Sequence, residues 1–287
     1  MITREEKFGW ILSSPYIIYF VIISAFPIIF SLILMFMRWN MLSSMQFIGL
    51  QNFITLFQDP LFWKALLNTF IFLIIHIPLQ ICLALLISAL LNSPDLIWKS
   101  FFRSTFFIPV VISGVVVTLL WKQLYSTETG LLNNILLGIN LEKIPWLTST
   151  KVAMPAIAIM ATWKNLGLYI VILLAGLQSI PRSLYEAADI DGASKIQQFF
   201  HITIPMVNPT LITVIVLSTI GGFSLFIEPY IMTGGGPLNS TLSTNLYIYQ
   251  QAFSFYKMGY AATLGFMMAF VIFLVVMLQR KYIEREI

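Results

Sequence analysis

Residues 186–205 read EAADIDGASKIQQFFHITIP and lie between two long apolar stretches. The carboxylates Glu186, Asp189 and Asp191, with Lys195 and His201, crowd into this one segment of a largely uncharged chain. Just upstream, Pro181 suits the first turn of a helix, and Ser183-Leu-Tyr-Glu186 has the spacing of a capping box. A short helix through Ala187, Ala188 and Ile190 is expected to end at Gly192, which tolerates left-handed backbone. A further helical turn sets Ile196, Phe199 and Phe200 on one face, expected to pack on the chain's own bundle. Pro205 disfavours helix at Ile204 and marks the start of the next long helix. The pattern is a helix-turn-helix elbow. Its small residues let another backbone approach, and its carboxylates offer charge to basic groups, as a docking knob would. Composition alone serves a polar surface loop equally well.

What surrounds the elbow decides the class of protein. The 287 residues are 59% hydrophobic and 10% charged, with mean hydropathy +0.89. Soluble domains carry about 25% charged residues, so this chain reads as an all-α integral membrane protein. A net charge of +4 gives no reason to expect a nucleic acid partner. Cys82 has no second cysteine to pair with and reads as a small core residue. The apolar run after Lys7 is too long for the core of a cleavable signal, so it is taken as a retained crossing.

A helix needs about 20 apolar residues to cross a bilayer. Six segments qualify, at about 10–36, 66–92, 104–121, 152–178, 207–232 and 258–279, all within one transmembrane domain covering 1–287. An even number puts both termini on one side. With the termini inside, Arg4, Lys7, Lys99, Arg103, Arg182 and Lys195 fall on inner segments, together with Arg280, Lys281 and Arg285. Basic density is then roughly double that of the outer loops, which sets the termini and the 181–205 elbow in the cytoplasm. Pro60, Phe62 and Trp63 suggest an interfacial helix before the second span, and TGGGP at 233–237 suggests a tight outer turn.

The elbow also carries a resemblance. Glu186-Ala187-Ala188, then Gly192, then Ile202-Thr-Ile204-Pro205 resembles the signature of permease subunits of bacterial binding-protein-dependent ABC importers, with Ile204 where leucine is usual. GLQNF at 49–53, DPLFWKALLNT at 59–69, FFRSTFFIPVVIS at 101–113 and TGGGPLNST at 233–241 are similar to the carbohydrate-uptake branch, which contains the maltose and glycerol-3-phosphate permeases. The resemblance implies a type I importer permease fold in the bacterial inner membrane. It makes 181–205 a cytoplasmic coupling helix, with Glu186, Ala187, Ala188, Asp189, Asp191, Gly192 and Pro205 as ATPase-coupling residues. It further implies a second homologous permease, a cytoplasmic ATPase dimer and an extracytoplasmic solute-binding protein as partners. Magnesium ATP would sit on the ATPase, since this chain has no G-x-x-x-x-G-K-[ST] loop and no cofactor of its own is expected.

Ionisable groups within a bilayer are functional candidates by default. Lys164 sits in the middle of the fourth span beside Asn165, with Tyr169 a turn on; Ser218 and Ser224 lie in the fifth. In the carbohydrate branch these two helices line the central cavity, so these five residues are the substrate-path candidates. Lys164 would serve a carboxylated sugar, or else pair with Glu228, a carbonyl or a partner subunit. Glu228, near the outer end of the fifth span, is expected at the interface. His76 reads as a hydrogen-bonded bundle residue and His201 as a solvated or capping one. No histidine or cysteine cluster suggests a metal site or the nucleophile-base set of an intramembrane enzyme. An ion-driven secondary transporter is the alternative; it would show repeats around midplane ion sites, and none is evident.

Overall fold

The computed structural model describes residues 4–93 and 96–283. It resolves into two compact units, one formed by the chain up to Pro60 with Ile248–Ala269, the other by Leu61–Tyr247 with the chain from Phe270 onward.

In the first unit, α1 (Arg4–Phe20) runs through a wide π turn (Val21–Ala25) into α2 (Phe26–Leu34). Nearly every described side chain of this helix is exposed, with Leu34 buried only at its end. Such an apolar surface requires lipid or protein cover. A two-residue hairpin follows, β1 (Met37–Arg38) antiparallel to β2 (Gln46–Phe47), and then α3 (Gln51–Gln58). Asn52 anchors α3: its amide donates to the carbonyls of Met35 (2.9 Å) and Met37 (3.0 Å). Tyr260 donates its hydroxyl to Asp59 Oδ2 at 2.5 Å.

The second unit begins with α4 (Pro60–Asn92), a single helix of 33 residues. Pro60 heads this helix, where its missing N–H costs nothing, so the 60–63 stretch is the first turn of the span and not a separate interfacial helix. Cys82 is exposed on α4, which corrects its reading as a core residue. The polar Asn68, Thr69, His76, Gln80 and Ser88 of this helix are buried, but lipid tails are as apolar as a protein core, so the hydropathy of an apolar residue such as Cys82 cannot tell an inward position from an outward one.

The segment expected as a third straight span is two helices, α5 (Lys99–Val111) and α6 (Gly114–Leu124), bent by 97°. Ile112 is extended and Ser113 becomes the N-cap of α6. Five helices are long and apolar enough to cross a membrane, or six if the bent pair counts as one, among the described residues. α7 (Leu131–Gly138) leads to α8 (Ala153–Gln178), the centre of the unit. Met160, Ile157, Ile170 and Leu173 of α8 are all almost wholly buried. α5 crosses α8 at Gly167, where an added Cβ would strike the carbonyl oxygen of Phe106. This is the close backbone approach that small residues permit between membrane helices.

After α8 come α9 (Arg182–Ile190), α10 (Lys195–Gln198), a π turn (Phe199–Thr203) and α11 (Ile204–Phe223). Pro205 does not interrupt the helix at Ile204, which keeps helical backbone (φ −62°, ψ −48°). The π turn immediately before it absorbs the missing N–H and the ring clash that a proline imposes on the preceding turn. α11 stops at Ser224, and a separate short helix α12 (Ile227–Met232) follows an irregular Phe226. The short irregular stretch at 224–226 does not divide the span: Lys195–Met232 is long and apolar enough to cross as one unit, as expected. α13 (Thr244–Tyr249) and α14 (Met258–Ile283) complete the chain.

Candidate functional site

The elbow is built from two opposed caps. Pro181, in extended backbone, is the N-cap of α9 and makes no side-chain cap bond. Ser183 therefore lies inside the helix and Glu186 beyond its first turn, so the expected capping box is absent there. The box occurs instead at α10, where Gln197 N–H donates to Ser194 Oγ (3.3 Å) and Ser194 N–H donates to Gln197 Oε1 (2.8 Å). Between the two helices Gly192 takes φ +76°. Its N–H donates to Asp189 O (3.2 Å), and Ala193 N–H reaches back to Ala188 O (2.9 Å). This paired closure is a Schellman motif, and it needs the left-handed residue.

Asp189 closes the elbow. Its Oδ1 accepts from Gln198 Nε2 (2.5 Å) and Lys195 Nζ (2.8 Å), and its Oδ2 accepts from Lys195 (3.2 Å). The Lys195 hydrogen bond, then that of Gln198, holds the carboxyl below its ordinary value of 3.8. Glu186, Asp189 and Asp191 are all exposed, and Asp189 directs its oxygens to groups within the elbow. Tyr185 bonds Thr203 (2.8 Å) and ties α9 to the approach to α11. Of the apolar face expected to pack on the chain's own bundle, Ile196 (72% exposed) and Phe200 (60%) point outward, while Phe199 is half-buried; Ile190, 87% exposed, extends that outward surface. His201 is exposed, with Nδ1 3.0 Å from the Gln197 carbonyl.

A second site lies among α4, α8, α11 and α12. Lys164, Asn165, Tyr169, Ser218 and Ser224, singled out from two different helices, all line one cavity of about 360 Å³. That volume is within the range of small-molecule sites, about 300–1,000 Å³. Phe72 supplies an aromatic wall, and Gly221 and Gly222 leave α11 without side chains there. Ser218 donates its hydroxyl to the fully buried Gln80 at 3.3 Å. His76, stacked on Phe72, bonds Thr162 through Nδ1 at 2.8 Å. Asn165 spends one amide N–H on Ala161 O (2.9 Å), which leaves a second N–H and its oxygen for other partners.

Lys164 Nζ lies 3.6 Å from Glu228 Oε1, with side-chain exposures of 16% and 11%. Glu228 is buried in α12 and faces this cavity, which corrects its placement at the outer interface. Glu228 lies in the first turn of α12, just past the irregular Phe226. Gly114, at the bend between α5 and α6, makes room for the ammonium: a Cβ there would stand 2.9 Å from Lys164 Nζ. Sequence reading missed Phe72, Gln80 and Gly114. Only Gly114 left a trace, as the Ser-Gly pair interrupting an apolar run.

Residues 53–287 match the family model of the binding-protein-dependent transport system inner membrane component. The chain is 39% identical over 283 residues to the lactose transport system permease protein LacF of Rhizobium radiobacter, covering 97% of this chain and 94% of that protein. It is 34% identical to the arabinooligosaccharides transport system permease protein AraP of Bacillus subtilis, covering 95% and 87%. The crystal structure of a bacterial alginate ABC transporter, in complex with its alginate pentasaccharide-bound periplasmic protein, has a chain that superposes with TM-score 0.83 at 25% identity. That match covers 97% of this chain and 95% of the other. The bent helix pair, the capped elbow and the polar cavity thus sit in a chain that belongs to the inner membrane components of binding-protein-dependent transport systems.

Proposed function

We propose that this chain is the membrane subunit of an ATP-driven importer that moves a sugar or oligosaccharide by alternating access. One observation carries the reading: its likeness to lactose and arabinooligosaccharide permeases runs nearly end to end. The cavity suits such cargo, because hydroxyl-rich ligands need amides, hydroxyls and aromatic faces, and Asn165, Tyr169, Ser218 and Phe72 provide them.

In this reading both termini and the 181–205 elbow are cytoplasmic, in a bacterial inner membrane. The exposed face of Ile190, Ile196 and Phe200, flanked by Glu186 and Asp191, enters a groove on an ATPase of a dimer. Ala187, Ala188 and Gly192 permit the close fit. ATP chemistry belongs to that partner. A second permease carries the other elbow, and a solute-binding protein delivers the sugar. The elbow is braced by Asp189 and the Schellman turn and continues directly into α11 past Pro205. Motion at the ATPase therefore reaches Ser218 and Ser224 through one helix. The likeness to an alginate transporter favours a second reading, in which the cargo is a carboxylated oligosaccharide.

Uptake of lactose and arabinotriose by cells carrying the complete importer tests this. ATP depletion is expected to stop uptake, and Gly192→Val to abolish it while the subunit still inserts. Uptake that survives ATP depletion but is lost with an ionophore supports an ion-driven carrier and overturns the reading.

A further inference from the structure

The Lys164–Glu228 pair bears on the charge of the cargo. At 3.6 Å the two groups attract one another but lie too far apart for a direct hydrogen bond. Each keeps hydrogen-bonding capacity directed at the cavity both line. A hydroxyl is donor and acceptor at once, so it can accept from the ammonium and donate to the carboxylate. A carboxylate can satisfy only Lys164, and it meets Glu228 as a like charge. Ser224, one helix break from Glu228, and Asn165, next to Lys164, continue the same alternation of donors and acceptors. Gly114 holds open the place of the ammonium beside Ile227.

We propose that Lys164 and Glu228 form a self-neutralised, hydroxyl-binding pair that makes this cavity selective for uncharged saccharides. The proposal rests on the sugar-import reading above and chooses between its two cargo classes.

The test uses the complete importer in ATP-loaded proteoliposomes, with lactose, arabinotriose and trigalacturonate as probes and rates normalised to reconstituted complex. Wild type accumulates a neutral probe and excludes trigalacturonate. Lys164→Gln and Glu228→Gln each strand a single charge, and each is expected to lower neutral uptake about tenfold or more. The double variant, neutral but still able to donate and accept at both positions, recovers to within about threefold of wild type, the non-additivity expected of one interacting pair. Glu228→Gln alone also admits trigalacturonate. Wild-type uptake of trigalacturonate that Lys164→Gln abolishes, or a double variant worse than either single, overturns the pair assignment and leaves sugar import standing. Uptake of every probe without ATP would remove the import reading, and the pair's role with it.

Discussion

Asp189 and Gln198 are joined across the elbow by a 2.5 Å hydrogen bond, with Lys195 adding 2.8 Å and 3.2 Å contacts to the same carboxylate. This exposed side chain links α9 to α10 beside the Schellman turn. Because its pKa is lowered in the folded chain, its contribution is complete above about pH 4, the unfolded carboxylate range. It is lost as pH falls through the lower folded value. Amide protection factors across 181–205, exchange rates corrected for intrinsic pH dependence, are expected to be higher at pH 7 than at pH 3. Asp189→Ala should show the lower protection already at pH 7, and unchanged protection factors would remove the brace.

Gly167 packs against the backbone of Phe106, and an added methyl group would overlap that carbonyl. Gly167→Ala is expected to push α5 from α8 and destabilise the subunit by about 1–3 kcal/mol, the usual cost of overpacking. Thermal unfolding in detergent measures it.

Asn133 is fully buried and its amide is saturated. Nδ2 donates to Thr127 O (3.1 Å) and Ile144 O (3.0 Å), while Oδ1 accepts from Ile144 N and Trp146 Nε1, both at 3.0 Å. Asn133→Ala strands those loop groups, at about 1–3 kcal/mol for each one left buried and unpaired. Red-shifted Trp146 emission and faster proteolysis between 127 and 146 are the expected signs.

The buried His76–Thr162 bond joins α4 to α8 at 2.8 Å. Thr162→Val keeps the shape and removes the hydroxyl. Such bonds between membrane helices contribute about 0.6 kcal/mol on average and up to about 1.7. A fall in unfolding temperature equivalent to that range is expected, without loss of insertion.

The apolar runs near 66–92, 152–178 and 258–279 were legible because a long uncharged stretch has few ways to fold in a membrane. So was the elbow, since Gly192 and the small residues before it are local signals. Most of the readings that needed correction concerned direction or continuity. Cys82 faces outward on α4. Ile196 and Phe200 point away from the bundle. The capping box belongs to Ser194. The segment 104–121 is a bent pair.

Residue types and their spacing alone determined that this chain is a helical membrane protein with a charged elbow between its fourth and fifth apolar stretches. That much follows from how each residue partitions between water and oil, and from what each lets its own backbone do. Only the tertiary structure decided that Lys164 faces Glu228, and that Asn165, Tyr169, Ser218 and Ser224 share one cavity. Those groups come from α8, α11 and α12, which pack around one cavity. Such meetings depend on how helices distant in sequence pack, and neither hydropathy nor periodicity encodes that.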